Sequence, residues 1–247
     1  DRSKVEITHG ALVVATGAQE MRAAGYGYGS EARVVTQREL EALIAAGRLV
    51  PTPDAEATNS ASVVMIQCVG SRTPERAYCS RVCCIEALKN ALEVKRRWPA
   101  STVTVLYRDL RSYGFRERLY REARRLGVRF LQYSPEKPPE VMPARDGGER
   151  LCVSVVSQPE GERVDLLADV VALSNGIEAE AGNESLSQLL KLPLNKDGFF
   201  LEAHVKLRPV DFATDGVFLC GLAHSPKNLQ ETISQATAAA SRATTLL

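Results

Sequence analysis

No run of about 18 apolar residues occurs in this sequence, so no membrane-spanning helix is expected. No secretory signal is visible at its start, and a cytoplasmic location is the expectation. A complete Gly-x-Gly-x-x-Gly, the glycine run of a dinucleotide site, is missing. So is any large surplus of charge: 31 Lys and Arg against 30 Asp and Glu leave a formal net charge of +1. No overall field therefore favours nucleic acid or a membrane surface. Cysteine is scarce, six in 247 residues, too few and too local for a disulfide scaffold. The chain opens Asp1-Arg2-Ser3-Lys4, without methionine, and soon reaches an apolar segment. A fragment, or a chain whose preceding segment lies elsewhere, is expected. Arg121, Arg124 and Arg125 cluster, which reads as a solvated helix face.

What is present reads as alternating strands and helices. Leu12, Val13 and Val14 form a short apolar run ended by Gly17, which suits a buried parallel strand. Thr36 with Glu39 three residues on is a capping box, opening a short helix with Leu40, Leu43 and Ile44. A loop is expected over 51–60. Ser62 to Cys68 is the next strand, and Ile85, Leu88 and Leu92 mark a helix ending before Pro99. Thr102–Tyr107 and Val128–Tyr133 read as strands around a helix over 115–126 closed by Gly127. Pro135–Arg150 reads as a loop. Leu151–Ser157 and Val164–Leu173 read as antiparallel strands laid on the end of the sheet. Short strands are expected after Gly198 and Gly216, and a small-residue helix over 232–243. The pattern predicts an α/β fold with two nucleotide-binding halves. One is 1–60 plus 176–247, and the other, 61–175, is inserted in it.

Four of the six cysteines fall within seventeen residues, spaced Cys68-x10-Cys79-x3-Cys83-Cys84. Cys68 ends a predicted strand, and the other three lie at or near a helix start. They converge only if the helix begins near Cys83 and the loop crosses its N-terminus. Free N–H groups there, with Arg72, Arg76 and Arg81 nearby, would stabilise an anionic thiolate group. Soft thiolates select iron–sulfur clusters or zinc. Plain buried cysteines, or a redox pair at Cys83 and Cys84, also fit the spacing. The turn after this strand would carry the phosphate-binding glycines of a dinucleotide half, but only Gly70 stands there. This half is therefore not expected to bind NAD.

Ile66-Gln-Cys-Val-Gly-Ser-Arg, Tyr78-Cys-Ser-Arg-Val-Cys-Cys, Lys89-Asn-Ala-Leu, Tyr107-Arg-Asp-Leu-Arg-Ser-Tyr-Gly-Phe and Lys206-Leu-Arg-Pro-Val-Asp run through the chain. On these motifs the sequence resembles the heterodisulfide reductase family, in its flavin-bearing A-type subunit. The resemblance implies two Rossmann-like halves of the thioredoxin-reductase type, bound FAD, and a [4Fe-4S] cluster on Cys68, Cys79, Cys83 and Cys84. It implies an electron-transferring oxidoreductase whose flavin can split electron pairs. Expected partners are other subunits of that type, ferredoxin, or hydrogenase and dehydrogenase donor subunits, in a dimer or larger complex. The family's N-terminal FAD fingerprint and its Cys-x-x-Cys-x-x-Cys domains are missing, so activity of this piece alone is not expected.

By the same resemblance, Thr16 and Gly17 form a strand-end Thr-Gly where FAD enters. Gly216-Val-Phe-Leu-Cys-Gly-Leu-Ala-His224 resembles the second FAD strand, giving Gly221, Leu222, Ala223 and His224 as flavin neighbours. Leu222 stands where an acidic residue is usual, and His224 could donate a proton. Ile233 begins a helix segment aimed at the flavin, while Lys89 and Glu39 are further polar candidates. Cys152 and Cys220 read as core. Two other functions stay open: a NAD(P)H-dependent flavin disulfide reductase using Cys83 and Cys84, and a zinc-stabilised docking module.

Overall fold

The computed structural model describes residues 5–51, 60–144 and 150–247, so most of the expected loop 51–60 lies outside them. The chain divides into two compact units, one running to Glu20 and resuming at Ile177, the other Met21–Gly176.

The first unit opens with β1 (Leu12–Val14) and β2 (Ala18–Glu20). The chain then enters the second unit through β3 (Val34–Thr36), α1 (Gln37–Ala45) and β4 (Ser62–Val69). It continues through α2 (Cys83–Arg97), β5 (Thr102–Tyr107), α3 (Glu117–Arg125) and β6 (Arg129–Gln132). Strands β7 (Glu140–Pro143), β8 (Leu151–Val156), β9 (Arg163–Ala168) and β10 (Val170–Asn175) complete this unit. The first unit resumes with β11 (Ile177–Ala179), α4 (Asn183–Leu190), β12 (Val217–Leu219) and α5 (Leu229–Thr244).

The second unit is built on a five-stranded sheet of order β3-β10-β4-β5-β6, parallel at every pairing. Its central strands β10, β4 and β5 are buried on both faces, which is why they read as continuous apolar runs. Val63 and Met65 of β4, Val103 and Val105 of β5, and Val170 and Ala172 of β10 face one layer. There they meet Leu40 and Ile44 of α1, Leu88 and Leu92 of α2, and Ala123 of α3. The alternate residues Val64, Ile66, Leu106, Val171 and Leu173 face β8 and β9 of the antiparallel β7–β8–β9 sheet. Helix α1 starts on the predicted capping box: Glu39 N–H donates to Thr36 Oγ1 at 3.1 Å, and Thr36 N–H to the Glu39 carboxylate at 2.6 Å.

Several expectations are corrected. Residues 21–51 belong with the inserted unit, not the outer one, because β3 pairs with β10 at the sheet edge and α1 packs beneath it. The stretch 164–173 is two strands, broken at Asp169. Its second half, β10, is a sheet strand beside β4 rather than an antiparallel addition. The loop expected over 135–150 contains β7. Gly198-Phe-Phe-Leu forms only an isolated bridge, Leu194 with Phe200, and Phe199 and Phe200 serve as core.

In the first unit β1 and β12 pair in parallel, Val14 opposite Leu219, and β2 pairs antiparallel with β11. Val14, Phe200, Phe212 and Leu219 pack on one side of β12; Phe218, Cys220, Ala239 and Ala243 pack on the other. The Lys206-Leu-Arg-Pro-Val-Asp motif ends in Asp211, which is buried and paired with Arg242 at 3.0 Å and Arg208 at 3.6 Å.

Leu88 is fully buried where α2 meets the sheet. Leu88→Ala is predicted to cost about 2–5 kcal/mol in urea unfolding. A loss below about 1 kcal/mol would contradict this packing.

Candidate functional site

The turn from β4 to α2 carries the four clustered cysteines. It is held in an unusual backbone: Cys68, Arg72 and Arg81 have φ of 64°, 58° and 63°. Such left-handed residues cost about 1–3 kcal/mol each and persist where surrounding contacts fix them. The contacts are present. Gly176 N–H donates to Val69 O at 2.9 Å, Arg72 N–H to Tyr78 O at 3.2 Å, and Tyr133 Oη to Gln67 O at 2.6 Å. A Cβ at Gly176 would stand 2.4 Å from Met21 Sδ, 3.2 Å from Ser71 Cβ and 3.3 Å from Ser80 Oγ, so the Met21 side chain would have to move.

Cys68, Cys83 and Cys84 are buried and Cys79 is partly so; no cysteine is in a disulfide. Cys83 and Cys84 are the first two residues of α2, and its N-cap, Val82, supplies no side-chain cap. One backbone N–H reaches a sulfur: Arg81 N–H lies 3.3 Å from Cys79 Sγ. Cys84 Sγ also lies 3.9 Å from Asp109 O. A hydrogen bond with Cys83 pulls the Cys84 pKa down to about 7, assisted by Arg111 and Arg72 against burial. The same bond, then burial, pushes Cys83 well up; the charges of Cys84, Cys68 and Cys79 add to it. Burial, followed by the charge of Cys84, raises Cys68 against a pull from Arg72. The four sulfurs thus occupy one electrostatic neighbourhood.

Among the described residues, no three His, Cys, Asp or Glu side chains are gathered as for one metal ion. A single zinc draws thiolates to about 2.3 Å from one point. A four-iron cluster is a larger body whose thiolates stand farther apart. Other features suit an anionic group at this turn. Three buried donors, Gln67 Nε2, Arg72 Nη1 and Arg108 Nε, have no hydrogen-bond partner among the described residues. Buried polar atoms left unpaired are costly, so each points to something that would satisfy it. Arg72 itself is held by Asp109 at 2.6 Å.

The remaining candidates divide between the units. In the first, β1 and β12 end side by side, with Cys220 N–H donating to Val14 O at 3.1 Å. The Thr16–Gly17 and Gly221–Ala223 turns therefore leave the carboxyl ends of paired parallel strands, where α/β sheets bind ligands. Gly17 and Gly221 have φ of 81° and 70°. Thr16 Oγ1 donates to Asn183 Oδ1 at 2.8 Å. Ala223 is buried, Leu222 half-buried and Ile233 exposed on α5. In the second unit, Glu39 is committed to its cap and accepts a bond from Tyr28 Oη at 2.9 Å. Lys89 is exposed and lines an open hollow of about 450 Å³ with Glu41, Glu93 and Arg97. It makes no ion pair with Glu86 or Glu93 among the described residues; Glu93 holds Arg97 at 2.6 Å.

Both ring nitrogens of His224 are hydrogen-bonded. Gly221 N–H donates to Gln235 Oε1 at 2.9 Å, which turns the Gln235 amide nitrogen to His224 Nδ1 at 2.8 Å. Nδ1 is then the acceptor, and Nε2–H donates to Glu202 at 2.7 Å. The imidazole is neutral: burial first, then the charge of Lys227, lowers its pKa against Glu202. Buried Lys227 donates to Gly221 O at 2.6 Å and to Ser225 O at 2.9 Å. Sequence reasoning missed Glu202, Lys227 and Gln235. The one available signal was the Asn228–Glu231 capping box beside Lys227.

No protein-family model matches the chain. It is 37% identical over 274 residues to the A-type subunit of Ferredoxin:CoB-CoM heterodisulfide reductase from Methanosarcina acetivorans, covering 97% of this chain and 34% of that protein. It is 36% identical over 253 residues to the A-type iron-sulfur subunit of CoB--CoM heterodisulfide reductase from Methanocaldococcus jannaschii, covering 96% of this chain and 37% of that protein. Over the part it spans, the chain is a homologue of heterodisulfide reductase A-type subunits. It spans about a third of the length of these relatives. Thioredoxin reductase of Lactococcus lactis shares the fold at a TM-score of 0.58 and 16% identity, over 96% of this chain and 65% of that one. Thioredoxin reductase of T. acidophilum aligns at 0.56 and 13%, over 95% and 65%. The fold of this heterodisulfide reductase relative is thus thioredoxin-reductase-like, and no described helix is long and apolar enough to cross a membrane.

The His224 network makes a prediction with a definite sign. Its folded pKa lies below its unfolded value, so the unfolded chain takes the proton first. This contribution is intact above about pH 6.5 and lost as pH falls towards the folded pKa. Wild type is therefore predicted to lose more urea stability than His224→Gln between about pH 7.5 and 5.5. Parallel pH profiles would contradict the assignment.

Proposed function

We propose that this chain is the flavin- and cluster-binding core of a heterodisulfide-reductase-type oxidoreductase acting in a cytoplasmic complex. The observation that carries the reading is the β4–α2 turn, where four thiols share one neighbourhood at an uncapped helix start. Cys68, Cys79, Cys83 and Cys84 would hold a [4Fe-4S] cluster. The Arg81 N–H group would stabilise a bound sulfur, and Arg72 would offset negative charge. Thr16, Gly17, Gly221, Leu222 and Ala223 would lie along FAD, with Ile233 as a further neighbour. His224 would act through Gly221, holding that turn in place.

When bound, the cofactors supply the electron chemistry, so no nucleophile or acid–base pair is required of the protein. The chain's residues hold, orient and shield them. One relative is the A-type subunit of H(2):CoB-CoM heterodisulfide,ferredoxin reductase from Methanothermobacter thermautotrophicus. That name pairs two acceptors, and the reading extends to splitting electron pairs here, with iron–sulfur subunits as partners.

Anaerobic reconstitution is predicted to give about four iron and four sulfide per chain with a broad visible absorption. Serine at Cys68, Cys79, Cys83 or Cys84 should lower iron and bleach the colour, whereas Cys152→Ser and Cys220→Ser should not. Colourless, iron-free protein would sink the reading.

The low pKa of Cys84 beside Cys83 favours a second reading, a NAD(P)H-dependent dithiol reductase. Rapid flavin reduction by NADPH in stopped flow would support it over the first.

A further inference from the structure

The exposed arginines of α3, beside the 108–116 loop, have no role in the site described above. Between Arg108 and Arg129 stand eight arginines and three carboxylates, a surplus of five, in a chain of net charge +1. The positive charge is therefore local, and the rest of the chain is net negative. The three carboxylates are already engaged: Asp109 with Arg72 at 2.6 Å, Glu122 with Arg96 at 2.8 Å, and Glu117 with Ser112 Oγ at 2.9 Å. Arg118, Arg121, Arg124, Arg125 and Arg129 are all exposed. Arg121, Arg125 and Arg129 make no ion pair among the described residues.

Like charges at i,i+4, such as Arg121 and Arg125, weaken a helix. A face serving only solubility would mix signs. Arg118, Arg121 and Arg125 instead fall on one side of α3, around a shallow hollow. Beside them stand two aromatics exposed to solvent, Phe115 at 79% and Tyr113 at 45%. Arginine and exposed aromatics together are the composition of protein interfaces.

The same segment touches the cysteine turn. Cys84 Sγ lies 3.9 Å from Asp109 O, and Arg81, between Cys79 and Cys83, donates to Tyr113 Oη at 2.7 Å. We propose that this face docks an acidic electron-carrier protein, seating it beside the thiol turn. The inference rests on the cluster reading given above and adds the place and the charge of the partner. Charge complementarity selects an acidic partner, and contact with the cysteine turn favours a redox protein over a nucleic acid.

The test uses the full chain, reconstituted anaerobically, with an acidic two-iron plant-type ferredoxin as probe. Binding is predicted to weaken at least about tenfold between about 20 and 200 mM NaCl. Arg121→Glu with Arg125→Glu should weaken it by about tenfold or more at low salt. Phe115→Ala, which leaves the charge in place, should weaken it less but measurably. Lys196→Glu, an exposed charge on the other unit, should leave it unchanged. Iron content should be the same in all four proteins.

Binding insensitive to salt, or unaltered in both the double reversal and Phe115→Ala, would overturn the proposal. So would an oligonucleotide that occupies these arginines more tightly than the ferredoxin. An iron-free chain that still bound the ferredoxin through the same arginines would uphold the docking face and remove only the cluster beneath it.

Discussion

Pairing of β4 between β10 and β5 fixes where Cys68 stands, and the site depends on that register. Val63 to Ile66 are buried on both faces of the sheet, so a slip of β4 would break close packing in two layers at once. Helix α2 is fixed independently, through Leu88 and Leu92 against the same sheet. Cys68 belongs to the first anchor, and Cys83 and Cys84 to the second. The turn must bridge them, and its left-handed residues at Cys68, Arg72 and Arg81 are the local cost. A stable sheet–helix pair thereby holds a strained, polar turn in one shape.

The candidate turns of the two units are built differently. In the second, sulfurs, arginines and backbone N–H groups gather where phosphate-binding glycines would otherwise stand. In the first, the turn at Gly221 is braced by uncharged and paired groups: a Gln235 amide, a neutral His224 and a Lys227 buried against carbonyls. That bracing leaves backbone, rather than side-chain charge, at the strand ends. It also fits the presence of Leu222 where an acidic residue was expected.

The parts of this architecture legible in the sequence are those written in apolar periodicity and caps. β4, β5, α2 and the Thr36 capping box follow from runs and spacing within a few residues. β10 was misjudged because its neighbours in space, β3 and β4, lie far away in sequence; nothing local separates a parallel strand from an antiparallel one. Phe199 and Phe200 looked like a strand because buried core and buried strand carry the same residues. The cysteine spacing drew attention to the turn from β4 to α2, where the thiols lie within reach of one another's charge. The His224–Gln235–Glu202 network did not show, since its members are scattered and each is individually ordinary. The arginines around α3 read as a solvated helix face until the exposed Phe115 and the link to Cys84 gave them a setting.

The central claim is that four sulfurs of one turn enclose one iron-containing body. Anomalous diffraction at the iron absorption edge, from crystals grown without oxygen, tests it most directly. The account predicts a single compact iron peak bounded by the sulfurs of Cys68, Cys79, Cys83 and Cys84. Iron located elsewhere, or a Cys68 side chain turned away from the start of α2 in iron-loaded crystals, would contradict it.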